Sequence, residues 1–387
     1  MTMERKENFY FKPAPDKSEP PRVKDEPEMT AVEQEQERLK LNEAEWQIFA
    51  AAEKMKEKRP PVSPEHQAKL AEYRSRKADQ VPTRRGVILE YIFRQNIELN
   101  DWAGDNCFTA ETSDWDDVRN HADFVIEWVE EKNGQKVVTR LVVDMTTSQK
   151  PEKFEKKERL IKEDLAAGRM AKLDEFVSAV AEPGQEKIGY IDHLPRVVVA
   201  MGIENTQRLA GDAVHRKKEM GKNPAQLIFL EQIRDQMYDQ MEYCLDLIFK
   251  QLNHGFASYH SINDEAYNRE IDGQLAEILD AVKELRYSPY QLPELIERIQ
   301  QTTLLFPGLN KNPQVMEYWG NLETLNNVLR IVSDILMAKT KSGLFSDQVL
   351  MQFSQRRQKN IVLRAVNENL NRFKPPAELE KRLGRVA

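Results

Sequence analysis

The sequence is poor in cysteine and in long apolar runs. Among 387 residues only Cys107 and Cys244 are cysteines, too few and too far apart for a disulfide framework or a cysteine-based zinc site. No stretch approaches the roughly 20 apolar residues that a membrane-spanning helix needs. The first residues, MTMERKENFYFKPAPDK, lack the apolar segment of a secretory signal. We therefore expect a protein of the reducing cytoplasm that does not contact a membrane.

Several motifs that mark common enzyme classes are also missing. The sequence contains no GxxxxGK loop, no GxSxG turn, no GxGxxG turn and no HExxH helix. These absences argue against P-loop nucleotide hydrolysis, α/β-hydrolase chemistry, Rossmann cofactor binding and zinc-dependent proteolysis. We therefore expect no nucleotide cofactor.

Charge is unevenly distributed along the chain. The net charge is −7, which argues against a protein that coats nucleic acid over its whole surface. Residues 341–387, however, carry ten Lys and Arg against four Asp and Glu. A basic end can bind a polyanion, although the same pattern is typical of a solvated helix face. The candidates for nucleic-acid contact are Arg356, Arg357, Lys359 and Arg364.

Four segments differ in composition. Residues 1–30 are rich in Pro, Lys, Glu and Asp without apolar periodicity, which predicts disorder. Residues 31–82 contain two stretches of helix formers that a Pro-Pro pair separates, and we interpret them as a helical docking arm. Residues 83–220 mix strand and helix signals, which predicts an α/β domain. Residues 221–387 show only helical periodicity, so we expect an all-α region whose helices offer surfaces for a protein partner. After a long helix that begins near Pro224, further helices are predicted over about 264–286, 291–304, 314–340 and 344–373.

Residues 83–220 have the elements of a small mixed sheet flanked by helices. A helix is predicted over 83–96 and a weak strand around 107–111. Two strong strands, ADFVIEWVEE and KVVTRLVVDMTT, are separated by Asn133-Gly134, a strong hairpin signal. A charged helix over about 151–181 leads to RVVVAMGI, which is typical of a buried strand. The predicted fold class is therefore α+β, with an αβββαβ-like core, the helical arm and an all-α C-terminal region.

The Asn133-Gly134 turn fixes a register that places two carboxylates together. If these are the two loop residues, Asp123 lies opposite Asp144, with about 5 Å between their Cβ atoms. Such a pair repels unless one carboxyl is protonated or a cation lies between them. Mg²⁺ is commonly held by one or two carboxylates and substrate phosphates. The alternative is a strand-end pair directed into solvent.

The same register predicts the core face of the hairpin. Glu127 faces Arg140 on the side that carries the two aspartates, and we interpret this as a surface ion pair. The other side alternates apolar residues and is expected to face the core: Phe124, Ile126, Trp128, Leu141, Val143 and Met145.

The order of these elements resembles the PD-(D/E)XK nuclease-like superfamily over about residues 83–215. The segments DWDDVRNHADFVIEW and LVVDMTTSQKPEKFEKK carry the match. The resemblance implies that Asp123 and Asp144 bind a divalent metal, Mg²⁺ or Mn²⁺. It also implies that Glu90, in GVILEYIF, supplements the site as the acid of the first helix, either as a further metal ligand or as a group that orients the water.

One position departs from the superfamily pattern. The superfamily places a lysine two residues after the second acid, where this sequence has Thr146. Some members supply the lysine from the following helix, where Lys150, Lys153 and Lys157 are available. We name Lys153 as the candidate catalytic lysine, although an ordinary solvated helix also explains each of the three.

Three polar residues close to Asp123 in the sequence are expected to have structural roles. Asp116 and Asp117 precede the first strong strand, where capping or turn roles are expected and a metal contact is the alternative. His121 lies two residues before Asp123, and a loop histidine of this kind is expected to be structural.

Two functional hypotheses follow. The first is a metal-dependent endonuclease or exonuclease, in which the metal activates water for phosphodiester hydrolysis of DNA or RNA and an ammonium stabilises the developing charge. The second is a catalytically inactive nuclease-fold protein that binds protein or nucleic acid through its helical C-terminal region. The pairing of Asp123 with Asp144 favours the first hypothesis, and Thr146 favours the second.

Overall fold

The computed structural model describes residues 41–56, 59–76, 84–147, 151–181, 189–259, 273 and 313–352. The chain divides into two compact units. The first comprises residues 1–161, 170–236 and 328–345, and the second comprises residues 162–169, 237–327 and 346–387. All the candidate site residues that are described lie in the first unit.

The helices and strands follow one another in a mixed order. In chain order they are α1 (Glu43–Lys56), α2 (Pro64–Arg76), α3 (Arg84–Leu99), β1 (Cys107–Glu111), α4 (Asp114–Asn120), β2 (Phe124–Lys132), β3 (Gln135–Thr146), α5 (Pro151–Ala166), β4 (Ala171–Phe176), β5 (Gly189–Leu194), β6 (Arg196–Ala200), α6 (Ile203–His215), a 3₁₀ helix (Lys217–Lys222), α7 (Ala225–Tyr259) and α8 (Pro313–Lys341).

A four-stranded mixed sheet forms the centre of the first unit, with strand order β1-β2-β3-β6. The first two pairings are antiparallel, whereas β3 and β6 are parallel. A second sheet contains only the antiparallel pair β4 and β5. The predicted combination of helices with a small mixed sheet is therefore confirmed.

The hairpin register is also confirmed. Lys132 pairs with Gln135, and Glu127 pairs with Arg140. Asn133 and Gly134 have φ angles of 53° and 74°, so both residues of the turn adopt the left-handed conformation that a type I′ hairpin requires. Asn and Gly adopt this conformation at low cost. They can therefore form a two-residue turn, and the turn sets the register of the nine pairs in the hairpin.

Both faces of the hairpin are buried, so the prediction of a single core face was incomplete. Val125 and Val142 lie on the face that carries the aspartates, and neither is exposed to solvent. They belong to a core cluster to which β4 and β5 contribute: Ala110, Ala122, Val125, Val142, Ala171, Leu173, Phe176 and Leu194. The short second sheet therefore supplies a layer that the sequence pattern did not predict.

The prediction that Glu127 forms a surface pair was wrong. Its side chain has no exposed area, and it accepts hydrogen bonds from Arg140 Nε at 2.7 Å and from Ser178 Oγ at 2.8 Å. The backbone amide of Ala179 also donates to it, at 2.6 Å. The chain that follows β4 covers this end of the hairpin, so Glu127 is a buried structural acceptor.

The helix predicted over 151–181 is shorter than expected. It ends at Ala166, and Gly168 follows with φ of 73°, the left-handed conformation that commonly terminates a helix. The chain then forms β4, AKLDEF, in which burial alternates over the first five residues. A further helix, α4, was missed in the polar stretch before β2; it begins after Ser113, whose side chain caps the amide of Asp116.

Two glutamines cover the outer edge of β6. Gln236 accepts from the amide of Val198 and donates to its carbonyl, both at 2.8 Å. Gln232, one turn earlier on α7, pairs in the same way with Ala200 at 2.9 and 3.1 Å. These side chains take the place of a neighbouring strand, so the edge of the sheet is closed.

In the second unit, hydrogen bonds from α8 reach the chain just after α5. Tyr318 donates to the carbonyl of Ala166 at 2.8 Å, and Asn321 donates to that of Gly168 at 3.2 Å. Helix α8 was predicted over 314–340 and is observed over Pro313–Lys341.

Other predictions fall on residues that are not described. The helices predicted over 264–286 and 291–304, most of the helix over 344–373 and the disorder of residues 1–30 lie outside the described ranges. Among the residues that are described, no helix is both long enough and apolar enough to cross a membrane.

Candidate functional site

Asp123 and Asp144 meet where β2 begins and β3 ends. Asp144 lies in β3, which β2 and β6 flank, and its side chain is buried. Asp123 immediately precedes β2, and its amide donates to the carbonyl of Val143 on β3 at 3.0 Å. The carboxylate of Asp123 accepts from the amide of Met145 at 2.5 Å. Phe124 pairs with Val143, so Asp123 and Asp144 are the next residues on the two strands at this end of the hairpin, and the charge of Asp144 acts on Asp123.

This position is electrostatically costly for both carboxylates. Burial raises the pKa of Asp123 well above its usual value, and the negative charges of Asp117, Asp144 and Glu90 raise it further. Burial also raises the pKa of Asp144, although Lys157 opposes this shift. A cation at this position would relieve the repulsion.

Helix α5 supplies one such cation. Nζ of Lys157 lies 2.6 Å from Oδ1 of Asp144, while the side chain of Lys157 keeps 28% of its area exposed. The ammonium therefore contacts the second acid from the next helix rather than from the position of Thr146. The side chain of Lys153, which we named from the sequence, lies outside the described side chains, as does Lys150.

Glu90 and Asp117 complete a cluster of four carboxylates. Glu90 projects from α3, and burial raises its pKa to about 7 in spite of nearby Arg59; Asp117 and Glu111 add to the increase. Asp117 projects from α4, and its charge acts on both Glu90 and Asp123. The predicted first-helix acid therefore belongs to the same electrostatic cluster as the two strand aspartates.

A second cation, Arg59, enters from the segment between α1 and α2. One guanidinium nitrogen lies 2.9 Å from Asp117 and 3.0 Å from Asp114, and another lies 3.5 Å from Glu90. Only 9% of the Arg59 side chain is exposed. Burial lowers the pKa of Arg59, but the carboxylates outweigh burial and the net shift is upward. Sequence reasoning missed this residue because nothing local distinguishes it from other arm cations.

Two other residues of this region have structural roles. The carboxylate of Asp116 accepts from the amides of Asp174 and Glu175 at 2.8 and 3.1 Å, as well as from Asn120. Asp116 therefore joins α4 to β4, while the N-cap of α4 is Ser113. His121 ends α4 in the left-handed conformation, with φ of 52°, and its charge lowers the pKa of Asp144.

The donor chemistry of the cluster suits Mg²⁺ or Mn²⁺, which prefer carboxylate oxygens. Among the described side chains, no three of His, Cys, Asp or Glu already converge as a set of metal ligands. Asp123 and Asp144 instead fit the binding mode in which two carboxylates share the ion with water and substrate phosphates. The predicted nucleic-acid contacts, Arg356, Arg357, Lys359 and Arg364, lie outside the described residues.

Comparison with known proteins gives no assignment: no family model, no curated protein and no solved structure matches this chain. The functional interpretation therefore rests on the order of the elements and on the geometry of the carboxylate cluster.

Proposed function

We propose that this protein is a divalent-metal-dependent nuclease that hydrolyses phosphodiester bonds in DNA or RNA. The observation that carries the proposal is the contact between Lys157 and Asp144. It supplies the lysine that the sequence lacks at position 146, next to the acid that the resemblance assigns to the metal. The nuclease-like αβββαβ core would consist of α3, β1, β2, β3, α5 and β6.

Four residues would have separate roles in phosphodiester hydrolysis. Asp123 and Asp144 would hold Mg²⁺ or Mn²⁺, and the bound ion would polarise a phosphoryl oxygen and acidify a water. The Lys157 ammonium lies beside Asp144 and would stabilise negative charge as it develops on the phosphoryl group. Glu90, with a pKa of about 7, is suited to accept a proton from water near neutral pH.

Lys157 thereby replaces Lys153 as the proposed catalytic lysine. The two residues are one helical turn apart and share a face of α5, so the sequence did not separate them. The ion pair with Asp144 supports Lys157, whereas the side chain of Lys153 lies outside the described side chains.

A cleavage assay tests this proposal. Labelled single- and double-stranded DNA and RNA are incubated with Mg²⁺ or Mn²⁺ and the parent protein, Lys157→Ala or Lys156→Ala. Lys156 is the matched control because it is an exposed lysine next to Lys157 on the same helix. We expect Lys157→Ala to slow cleavage by about 100-fold or more, since one group that stabilises the transition state has an effect of this order. Lys156→Ala should cleave at the parent rate.

A second candidate function is a nuclease-fold interaction protein without catalysis. The internal ion pairs favour this non-catalytic function. Lys157 already neutralises Asp144, and Arg59 already neutralises Asp117, so neither carboxylate needs a metal ion to balance its charge. In that case the helical C-terminal region would bind protein or nucleic acid. The parent protein would then cleave none of the four substrates with either metal, while retaining affinity for its partner in the absence of metal.

A further inference from the structure

Trp46, on α1, is the exposed tryptophan of this protein. Its exposed fraction is 41%. The other four tryptophans of the chain are buried: Trp102, Trp115, Trp128 and Trp319. The rings of Trp46 and Phe49 meet nearly at right angles, with centroids 6.0 Å apart. Helix α1 therefore presents a flat aromatic surface to solvent.

Arg84, the first residue of α3, adds a cation to this surface. The central carbon of its guanidinium lies 5.1 Å from the ring centroid of Trp46 and 5.9 Å from that of Phe49, which is the geometry of a cation–π contact. Nη1 of Arg84 is buried and has no hydrogen-bond partner among the described residues. The next residue, Arg85, differs because it pairs with the buried Glu45 at 2.9 Å. Arg84 therefore keeps a buried donor that an acceptor on a ligand would satisfy.

An exposed indole ring beside an unsatisfied guanidinium suits a ligand that has both a flat face and an anionic acceptor. A nucleotide has both, because its base stacks on aromatic rings and its phosphate accepts from arginine. The base must have a free face, which a single strand offers and the stacked pairs of a duplex do not. An apolar protein segment would cover Trp46 but would leave Nη1 of Arg84 without an acceptor.

We propose that Trp46 and Arg84 form a subsite for single-stranded nucleic acid, in which a base stacks on Trp46 and a phosphate accepts from Arg84. Helix α3 carries both Arg84 and Glu90, six residues apart, which is roughly 9 Å along the helix axis. About three stacked nucleotides cover this distance. A strand held by the subsite would thus reach the carboxylate cluster. The inference rests on the proposed function and names its substrate class, single-stranded DNA or RNA.

Oligonucleotide binding by the full chain in EDTA, where no cleavage occurs, tests the subsite. Oligothymidylate and oligouridylate of about ten nucleotides are titrated into the protein, and tryptophan emission is recorded. We expect a single strand to quench the emission, since Trp46 is the tryptophan that a base can reach. A duplex of the same length should leave the emission unchanged.

Anisotropy of labelled oligonucleotides measures the affinity of each variant. We expect Trp46→Ala to bind about tenfold more weakly than the parent, since the stacking of one base has an effect of this order. Arg84→Gln should also weaken binding and should reduce the slope of log K against log salt by about one. The matched control is Tyr190→Ala, which should bind within about twofold of the parent. Tyr190 is 60% exposed beneath the ammonium of Lys172, but that ammonium already pairs with Asp174 at 3.2 Å.

Failure of the subsite can be distinguished from failure of the proposed function. If no single strand quenches the parent, if a duplex quenches it equally, or if Trp46→Ala binds as tightly as the parent, the subsite is overturned. Cleavage of any of the four substrates in the assay above would then still support the nuclease. If single strands quench the parent but no substrate is cleaved, the subsite stands as a binding surface and the nuclease proposal fails.

Circular dichroism checks the folding of each variant. If Trp46→Ala does not fold, Trp46→Phe keeps an aromatic ring at the same position. It should bind single strands within a few-fold of the parent, because phenylalanine also stacks on bases, but should lose the change in emission. An emission change that persists in Trp46→Phe would assign the signal to another tryptophan and overturn the subsite.

Discussion

The ammonium of Lys157 lies 2.6 Å from the carboxylate of Asp144, although 13 residues separate them along the chain. Asp144 lies on the central part of the sheet, whereas Lys157 lies on the helix that follows the hairpin. Burial disfavours the charged form of Asp144, and the contact places the cation of Lys157 beside it. It also joins the helix to the sheet at the point where the resemblance places catalysis.

The buried carboxylate of Glu127 yields a prediction about stability. Glu127→Ala removes the acceptor of Arg140, Ser178 and the Ala179 amide, so these donors lose their partner in a buried region. We expect the free energy of unfolding to fall by about 3 kcal/mol or more. Urea denaturation measures this change. Glu131→Ala is the control on the same strand, and it should change stability by less than about 0.5 kcal/mol because Glu131 is exposed. Equal effects of the two variants would contradict the structural role of Glu127.

The raised pKa of Glu90 predicts how stability depends on pH. Between about pH 4.5 and pH 7 the unfolded chain has lost this proton, whereas the folded protein retains it because its pKa is about 7. The folded state therefore binds more protons, and stability should fall as the pH rises through this window. Above pH 7 the contribution should level off. Glu90→Gln cannot ionise, so its stability should exceed that of the parent increasingly with pH, by roughly 3 kcal/mol at the plateau.

Urea denaturation of both proteins at pH 5, 6, 7 and 8, without divalent metal, measures the difference. A constant gap between the parent and Glu90→Gln across this range would show that Glu90 titrates at its ordinary pKa.

The glutamines at the β6 edge lead to a prediction about stability that does not involve the candidate site. Gln236→Ala leaves the amide and carbonyl of Val198 without their partner in a buried environment. We expect a loss of about 2–3 kcal/mol in the free energy of unfolding, because unsatisfied buried polar groups are expensive. The control is Gln67→Ala, an exposed glutamine that donates one hydrogen bond to the carbonyl of Val62. Its effect should be under about 0.5 kcal/mol, and a comparable loss from both variants would rule out the proposed role of Gln236.

The features that sequence reasoning predicted depend on local chemistry. Asn133 and Gly134 specify a type I′ turn between alternating strands, and the turn fixes the pairing of Glu127 with Arg140 and of Phe124 with Val143. After Arg196, RVVVAMGI is apolar because both faces of β6 are covered. In each case the determining residues lie close together in the sequence.

The features that it missed depend on distant contacts. Strand β4 carries charged residues within a Lys- and Glu-rich stretch, so its period of two is hidden until β5 pairs with it. Arg59 is separated from Asp114 and Asp117 by 55 and 58 residues, and its neighbours give no sign of a buried role. The choice between Lys153 and Lys157 depends on the rotation of α5 about its axis, which the hairpin register does not determine.

The most direct test of the central claim is the melting temperature of the parent and of Asp144→Asn, each with increasing Mn²⁺. At 100 times the dissociation constant, Mn²⁺ should stabilise the parent by about 2.7 kcal/mol, which corresponds to a rise of several degrees. Asp144→Asn should show no such rise. Without metal it should melt at or above the parent temperature, because Asn removes a buried charge and the partly exposed Lys157 can reach solvent. A clear drop in the metal-free melting temperature of Asp144→Asn, with no response of the parent to Mn²⁺, would contradict the assignment of a metal-dependent nuclease site.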